Sequence, residues 1–360
     1  MRLSKGKIAK LSNQILRFIR REKLYVFLLT FIILANLSLS SLNNVFEDSG
    51  LAKIFDKEKP ADETGMFDHK IIETITSNSA VYLIFQLLLL LFIFFTIFGL
   101  AVDAIYLYGK TADKNPIIAT QSINTASWGF LDICKVIIIF LFAETAASFG
   151  AIYAALALPP LPLNRNFELM LVATALDVVV VAAIFYFVLG KRRQNIASLG
   201  LTAQNIFLNI RYGIAAYVGL IPIFLGVTVL TSVLFKVLNI PVEPQEVVRI
   251  LKEEKGVPSL IYMCVFTSFL GPFMEEIFFR GFVYGALKKK IGILGGVLTS
   301  ALFFAYIHAN IASFMPILSL GILLAYIYEK TGSLVSSITV HVIHNSAMLA
   351  FLLFLKSVAG

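Results

Sequence analysis

Residues 80–108 read AVYLIFQLLLLLFIFFTIFGLAVDAIYLY, and Asp103 is the single charged side chain in the stretch. A helix needs roughly 20 mostly apolar residues to cross the hydrocarbon of a bilayer, so this run suffices for one pass. A surface helix of a water-soluble protein would carry a polar face, and none is present here. Comparable runs occupy residues 24–42, 133–158, 169–189 and 212–238. Less cleanly bounded ones follow at 260–273, 291–308, 314–328 and 334–355.

The composition agrees: 58% of the 360 residues are hydrophobic and 14% charged, with a mean hydropathy of +0.85. The expected fold is all-α, a polytopic transmembrane helical bundle of about eight or nine spans. Strands of a membrane barrel would alternate in polarity, and these runs are continuous.

The net charge of +8 is distributed along the chain in blocks. Residues 1–23 hold eight basic side chains against Glu22, whereas residues 43–78 hold eight acids against four lysines. Lys191, Arg192, Arg193 and Arg211 then crowd a later loop. Alternation of this kind follows the positive-inside rule and places the N-terminus in the cytoplasm of a multi-pass plasma-membrane protein. It is not the pattern of a nucleic-acid-binding surface, so the expected partners are the lipid bilayer and a membrane-associated substrate. The first apolar run lacks a small-x-small cleavage site, so a retained helix is expected rather than a signal peptide. Cys134 and Cys264 lie far apart in apolar runs and read as ordinary buried thiols.

Two unequal regions follow. Residues 1–165 hold three spans and the acidic external loop, and end at the helix-breaking stretch Leu158-Pro159-Pro160-Leu161-Pro162. Asp103 and Asp132 lie near span ends, where the structural reading is preferred; Glu144 is deeper and stays open. Residues 166–360 hold the rest, including a predicted amphipathic helix over 245–255 lying at the membrane surface.

Chemistry-bearing side chains concentrate in this second region. Three of the four histidines, His308, His341 and His344, fall in otherwise apolar sequence, as does the stretch GPFMEEIFFRG at 271–281. Polar groups at membrane depth are costly and need a reason. Glu276 and Arg280 are four apart and can pair on one helix face, while Glu275 is rotated by about 100° and points elsewhere. Pro272 suits the first turn of a new helix, whose dipole would favour the two acids. His341 and Asn345 are also four apart, with His344 roughly 60° round from His341. Helix cohesion alone would account for many such residues.

Their heights suggest more. With a turn at 288–292, Glu275 and His308 stand roughly 22 and 24 Å from it on antiparallel helices, at 1.5 Å per residue. With a second turn at Thr331-Gly332, His341 and Asn345 stand roughly 14 to 20 Å above it. Four polar groups from three helices would then share one layer. A carboxylate and a histidine can activate water toward a carbonyl, the role open to Glu275 and His308. His341 and Asn345 can receive the oxyanion, with Glu276 and Arg280 bracing the first helix. No serine–histidine pair with an orienting partner is evident, which disfavours a covalent route. Glu275, His308 and His341 also form a familiar zinc ligand set, although the His-Glu-x-x-His helix of the zincins is missing. Zinc-assisted hydrolysis and hydrolysis without a cofactor both stay open.

Glu275-Glu276-x-x-x-Arg280-Gly281, Phe304-x-x-x-His308 and His341-x-x-x-Asn345, in this order and spacing, resemble the three motifs of the CAAX-protease and bacteriocin-processing (CPBP, or Abi) family. That family includes the type II CAAX prenyl endopeptidases. The resemblance implies an intramembrane endopeptidase in which Glu275 and His308 activate water and His341 and Asn345 form the oxyanion hole. It covers about residues 170–355, favours His341 over His344, and leaves 1–165 without a counterpart. Because family members differ in function, a non-enzymatic bacteriocin-immunity or scaffold role is the alternative. A proton-coupled transporter would require broken helices in symmetric halves, and no such pairing is seen.

Overall fold

The structure is a computed structural model, and it describes residues 19–48, 69–111, 126–157 and 164–359. The basic leader up to residue 18, most of the acidic loop and the proline-rich stretch fall outside those residues. Every described element is helical. In chain order they are α1 (Lys23–Asp48), α2 (His69–Ser77), α3 (Ser79–Thr111), α4 (Phe130–Ala157), α5 (Arg165–Phe185), α6 (Ile206–Val237), α7 (Glu246–Glu253), α8 (Val257–Val265), α9 (Gly271–Glu276), α10 (Gly285–Ile307), α11 (Ile311–Thr331) and α12 (Leu334–Ala359). Wider π turns extend α5 over Tyr186–Lys191, join α8 to α9 over Phe266–Leu270, and join α9 to α10 over Ile277–Tyr284. A 3₁₀ turn, Ile196–Leu199, precedes α6.

Seven helical segments among the described residues are long and apolar enough to cross a membrane, with Lys23–Leu37 a shorter apolar helix. One of the seven, Val257–Ile307, is broken at Gly292, where φ is 76° and ψ is 178°. Two passes therefore lie within it, in keeping with the expected span number. This backbone conformation is essentially confined to glycine. A Cβ on Gly292 would meet nothing within 4 Å, so the residue is needed for its backbone angles, not for space. Gly292→Ala is expected to cost about 1–3 kcal/mol of backbone strain, read as a lowered Tm of the detergent-solubilised protein. An unchanged Tm would mean that the hairpin does not depend on this angle. The second expected turn is also present: Gly332 closes α11 with φ 64°, its N–H donating to the Tyr328 carbonyl at 2.8 Å.

The chain forms two compact units, Met1–Glu63 with Cys134–Pro162, and Thr64–Ile133 with Leu163–Gly360. In the first, Lys135 pairs with Glu22 at 2.8 Å and the rings of Phe31 and Phe142 lie 5.3 Å apart. The hydrogen bond from Lys135, with Arg21 alongside, holds the Glu22 carboxyl below the usual carboxylate range. Glu144, also in this unit, is exposed on α4.

The second unit includes α2 and α3 as well as α5 to α12. Helix α6 packs against α3, α11 and α12. Small residues permit the close approach, as is usual between membrane helices. A Cβ on Gly99 of α3 would run into the Val218 carbonyl, and one on Gly219 would meet the Asp103 carboxylate at 2.7 Å. Asp103 thus sits at a helix crossing. Asp132 accepts from Arg192 at 2.5 Å and from the Gly129 N–H at 3.1 Å, a structural role at the start of α4. The outer face of α3 exposes Leu87, Leu90, Phe94 and Ile97, a surface that lipid can cover.

The predicted amphipathic helix is α7. Its Leu251 is buried with Met170, Met263 and Leu349. Lys356 of α12 donates to the carbonyls of Leu251 (2.6 Å) and Glu254, satisfying acceptors that the end of α7 leaves open. The main core lies between α6, α10, α11 and α12 and includes Leu220, Phe304, Ile317, Leu320 and Leu324.

One expectation is overturned. No new helix begins at Pro272: the backbone stays helical from Val257 through Glu276 to Gly285, so the two acids stand mid-helix, away from any helix dipole end. The run 260–273 is not a separate span: it continues without a break into the helix that carries the two acids. The physical reason lies in the π turn just before the proline. Its wider winding lets a residue without an N–H, whose ring would clash with the carbonyl four residues back, pass through an unbroken helix.

Candidate active site

The same π turn positions the first site residue. In its i to i−5 register the Gly271 N–H donates to the Phe266 carbonyl. The next bond in that register would run from residue 272 to the carbonyl of Thr267, and Pro272 has no hydrogen to give. The Thr267 carbonyl is therefore left without its helical donor at membrane depth, where an unmet polar group is costly. The Asn345 side chain of α12 supplies the bond, Nδ2 to O at 2.9 Å. An amide NH₂ carries two hydrogens, so Asn345 is fixed by one and has a second to offer.

Glu276 and Arg280 sit one turn apart and both are 0% exposed. Arg280 Nη1 donates to Glu276 Oε1 at 2.8 Å, and Nη2 reaches the Gly321 carbonyl of α11 at 3.3 Å. The guanidinium lies over the Phe304 ring, 4.4 Å from its centre. Glu276 Oε1 also accepts from His341 Nδ1 at 2.9 Å. One carboxylate and one guanidinium thus join the α9 segment to α11 and α12.

That hydrogen bond sets the orientation of His341, which is 2% exposed. With Nδ1–H given to Glu276, Nε2 faces Glu275, whose Oε2 lies 3.7 Å away. The Glu275 side chain is 31% exposed, so it borders open space where its neighbour does not. Phe304 is the hub: its ring centre is 5.6 Å from His341 and 4.7 Å from His308. His308 closes α10, with Nδ1 bonded to the Phe304 carbonyl at 2.7 Å. A carbonyl can only accept, so that nitrogen carries the proton and Nε2 presents a lone pair. The following residue, Ala309, has φ 47°, a sparsely populated conformation beside the candidate base.

Glu275, Glu276, Arg280 and His341 are thus in one connected cluster, and Phe304 stands between His308 and His341. Among the described residues no hydrogen bond or ion pair joins His308 to Glu275, and Asn345 is anchored to Thr267. His344 turns the other way, into α6, where its ring meets Phe224 at 4.8 Å and Tyr217 at 6.1 Å. No group of three or more His, Cys, Asp and Glu side chains is placed to hold a metal ion among the described residues. Glu275 and His341 therefore lack the third ligand that His308 would supply in the zinc reading. Cys134 and Cys264 are free, half-buried thiols.

Asp177 is a site neighbour that the motif spacing does not reveal. It lies in α5, which packs against α9, the helix that carries Glu275. Its signal in the sequence is a single carboxylate at mid-depth in the apolar run 169–189.

Residues 257–347 match the family described as Type II CAAX prenyl endopeptidase Rce1-like. A Bacillus subtilis (strain 168) protein named "Putative membrane peptidase YdiL" is 29% identical over 115 residues, 32% of this chain and 46% of that relative. The chain thus aligns with less than half the length of this curated relative. No solved structure matches. The matched stretch contains Glu275, Glu276, Arg280, His308, His341 and Asn345. With its apolar helices the chain is a multi-pass integral membrane protein, and the stretch that carries its three motifs is similar to the Type II CAAX prenyl endopeptidase Rce1-like family.

Proposed function

We propose that the protein is an intramembrane endopeptidase that hydrolyses a peptide bond in a membrane-associated protein or peptide. The observation that carries this reading is the opposed pair of Glu275 and His341, with His308 beside them across Phe304, inside the stretch that resembles peptidases. Water bound between Glu275 and the free Nε2 of His308 loses its proton as it attacks the carbonyl carbon. His341 Nε2 and the second amide hydrogen of Asn345 receive the oxyanion. With Nδ1–H committed to Glu276, His341 can donate through Nε2 only as an imidazolium. The proton taken from water then passes to the leaving nitrogen. On the positive-inside pattern the N-terminus lies in the cytoplasm and the protein resides in the plasma membrane.

The test is cleavage of a membrane-peptide library by purified wild type and His308→Ala, with and without a zinc chelator. Loss of roughly 10²-fold or more in the variant, with no effect of chelator, is the expected result. Loss with chelator as well would move the reaction to a metal-assisted route. Equal inertness of both proteins would favour a second reading, an immunity or scaffold protein. The buried Glu276–Arg280–His341 network favours that reading to the extent that it joins helices through the protein's own groups.

A further inference from the structure

Pro272 is buried three residues before Glu275, and its ring carries no group that could act on a peptide bond. What it contributes is a missing hydrogen. The π turn Phe266–Leu270 ends with the Gly271 N–H on the Phe266 carbonyl, and Pro272 leaves the next carbonyl, that of Thr267, to a donor from outside the helix. That donor is Asn345 Nδ2 at 2.9 Å, across the contact of α12 with the π turn.

The consequence falls on the orientation of an amide. An asparagine side chain can turn over about its last torsion, exchanging NH₂ and oxygen with almost no change of shape. Turned one way, Asn345 presents hydrogens; turned the other, it sets an oxygen in their place, which would repel an oxyanion. A carbonyl only accepts, so the Thr267 oxygen selects the form with the nitrogen facing it. With an N–H at position 272, the helix would supply Thr267 with its own donor, from 272 in the wide register or from Gly271 in the ordinary one. The carbonyl would then point along the helix axis with its need met, and Asn345 would be free to turn.

We propose that Pro272 is a positioning residue: by withholding an N–H from the Thr267 carbonyl, it holds Asn345 with an amide hydrogen towards the oxyanion. This rests on the peptidase reading above and adds to it how the oxyanion hole is set. His341, one turn before Asn345, is oriented by Glu276 of α9 at 2.9 Å. Both donors of α12 therefore take their orientation from the one helix that also carries Glu275.

The experiment uses the full chain in nanodiscs and a fluorescent membrane peptide. Pro272→Ala restores an N–H, whereas lactic acid inserted at 272 by nonsense suppression has the shape of alanine with an ester oxygen in place of that N–H. Pro272→Ala is expected to lower kcat about tenfold, the size of one net hydrogen bond, with KM within twofold of wild type. Lactic acid should restore most of the loss. Tm should not fall in either protein, because proline is the least favourable residue inside a helix. In an Asn345→Ala background, Pro272→Ala should have no further effect on kcat. An unchanged kcat in Pro272→Ala overturns the proposal. So do equal losses with alanine and lactic acid, which would assign the effect to the ring, and a tenfold loss that persists without the Asn345 amide. The side-chain amide signal of Asn345 in ¹⁵N-asparagine-labelled protein reads the same contact without turnover. It should shift and exchange faster with solvent in Pro272→Ala, and stay in place with lactic acid. That result, with no cleavage by wild type, upholds Pro272 as the residue that sets Asn345 and removes the hydrolytic role. Cleavage by wild type with a signal unmoved in Pro272→Ala does the reverse.

Discussion

Glu275→Ala is expected to reduce peptide cleavage by roughly 10³-fold while the protein stays folded and inserted, a loss of ~4 kcal/mol of transition-state stabilisation. Two features make this the cleanest test of the chemistry. Glu275 is part-exposed beside His341, so among the described residues its removal breaks no hydrogen bond and only the 3.7 Å approach to His341 is lost. Glu276, one residue on, is fully buried and holds His341 and Arg280. Glu275→Gln preserves size while removing the basic oxygen and should be equally impaired. Retained activity in either variant, with unaltered thermal unfolding, would transfer the role of base to another group. Loss of activity together with loss of folding would instead show that Glu275 is structural.

Arg280→Ala is expected to have the opposite signature. Removing one partner of a buried ion pair leaves the other charge unpaired in an apolar interior, a cost of about 3–5 kcal/mol. Here the Gly321 carbonyl also loses its donor and the Phe304 ring loses the cation over its face. Thermal unfolding in detergent should fall steeply, and activity should follow because Glu276 no longer orients His341. Arg280→Lys should not restore stability, since an ammonium cannot span Glu276 and Gly321 in the way a planar guanidinium does. A stable, inactive Arg280→Ala protein would place Arg280 in contact with the substrate and overturn the bracing role.

Much was legible in the amino-acid sequence because the bilayer imposes simple rules. A spanning helix must be long and apolar, so runs such as 80–108 declare themselves. The helical repeat places Glu276 with Arg280 and separates Glu275, and the structure has this pairing at 2.8 Å. The turns at Gly292 and Gly332 were legible for the same local reason, since their backbone angles are those that glycine tolerates.

Tertiary structure alone decided the rest. Pro272 reads locally as a helix start, yet a π turn carries the helix through it, and the carbonyl thereby freed is met by Asn345, 78 residues later in the chain. Asp177 reads as a stray acid until α5 packs on α9, the helix that carries Glu275. Periodicity reports the neighbours of a residue within one helix, at fixed spacing and over a few residues. The partners that give Glu276, His341, Asn345 and Asp177 their surroundings stand on other helices, and only the packing of the bundle brings them into range.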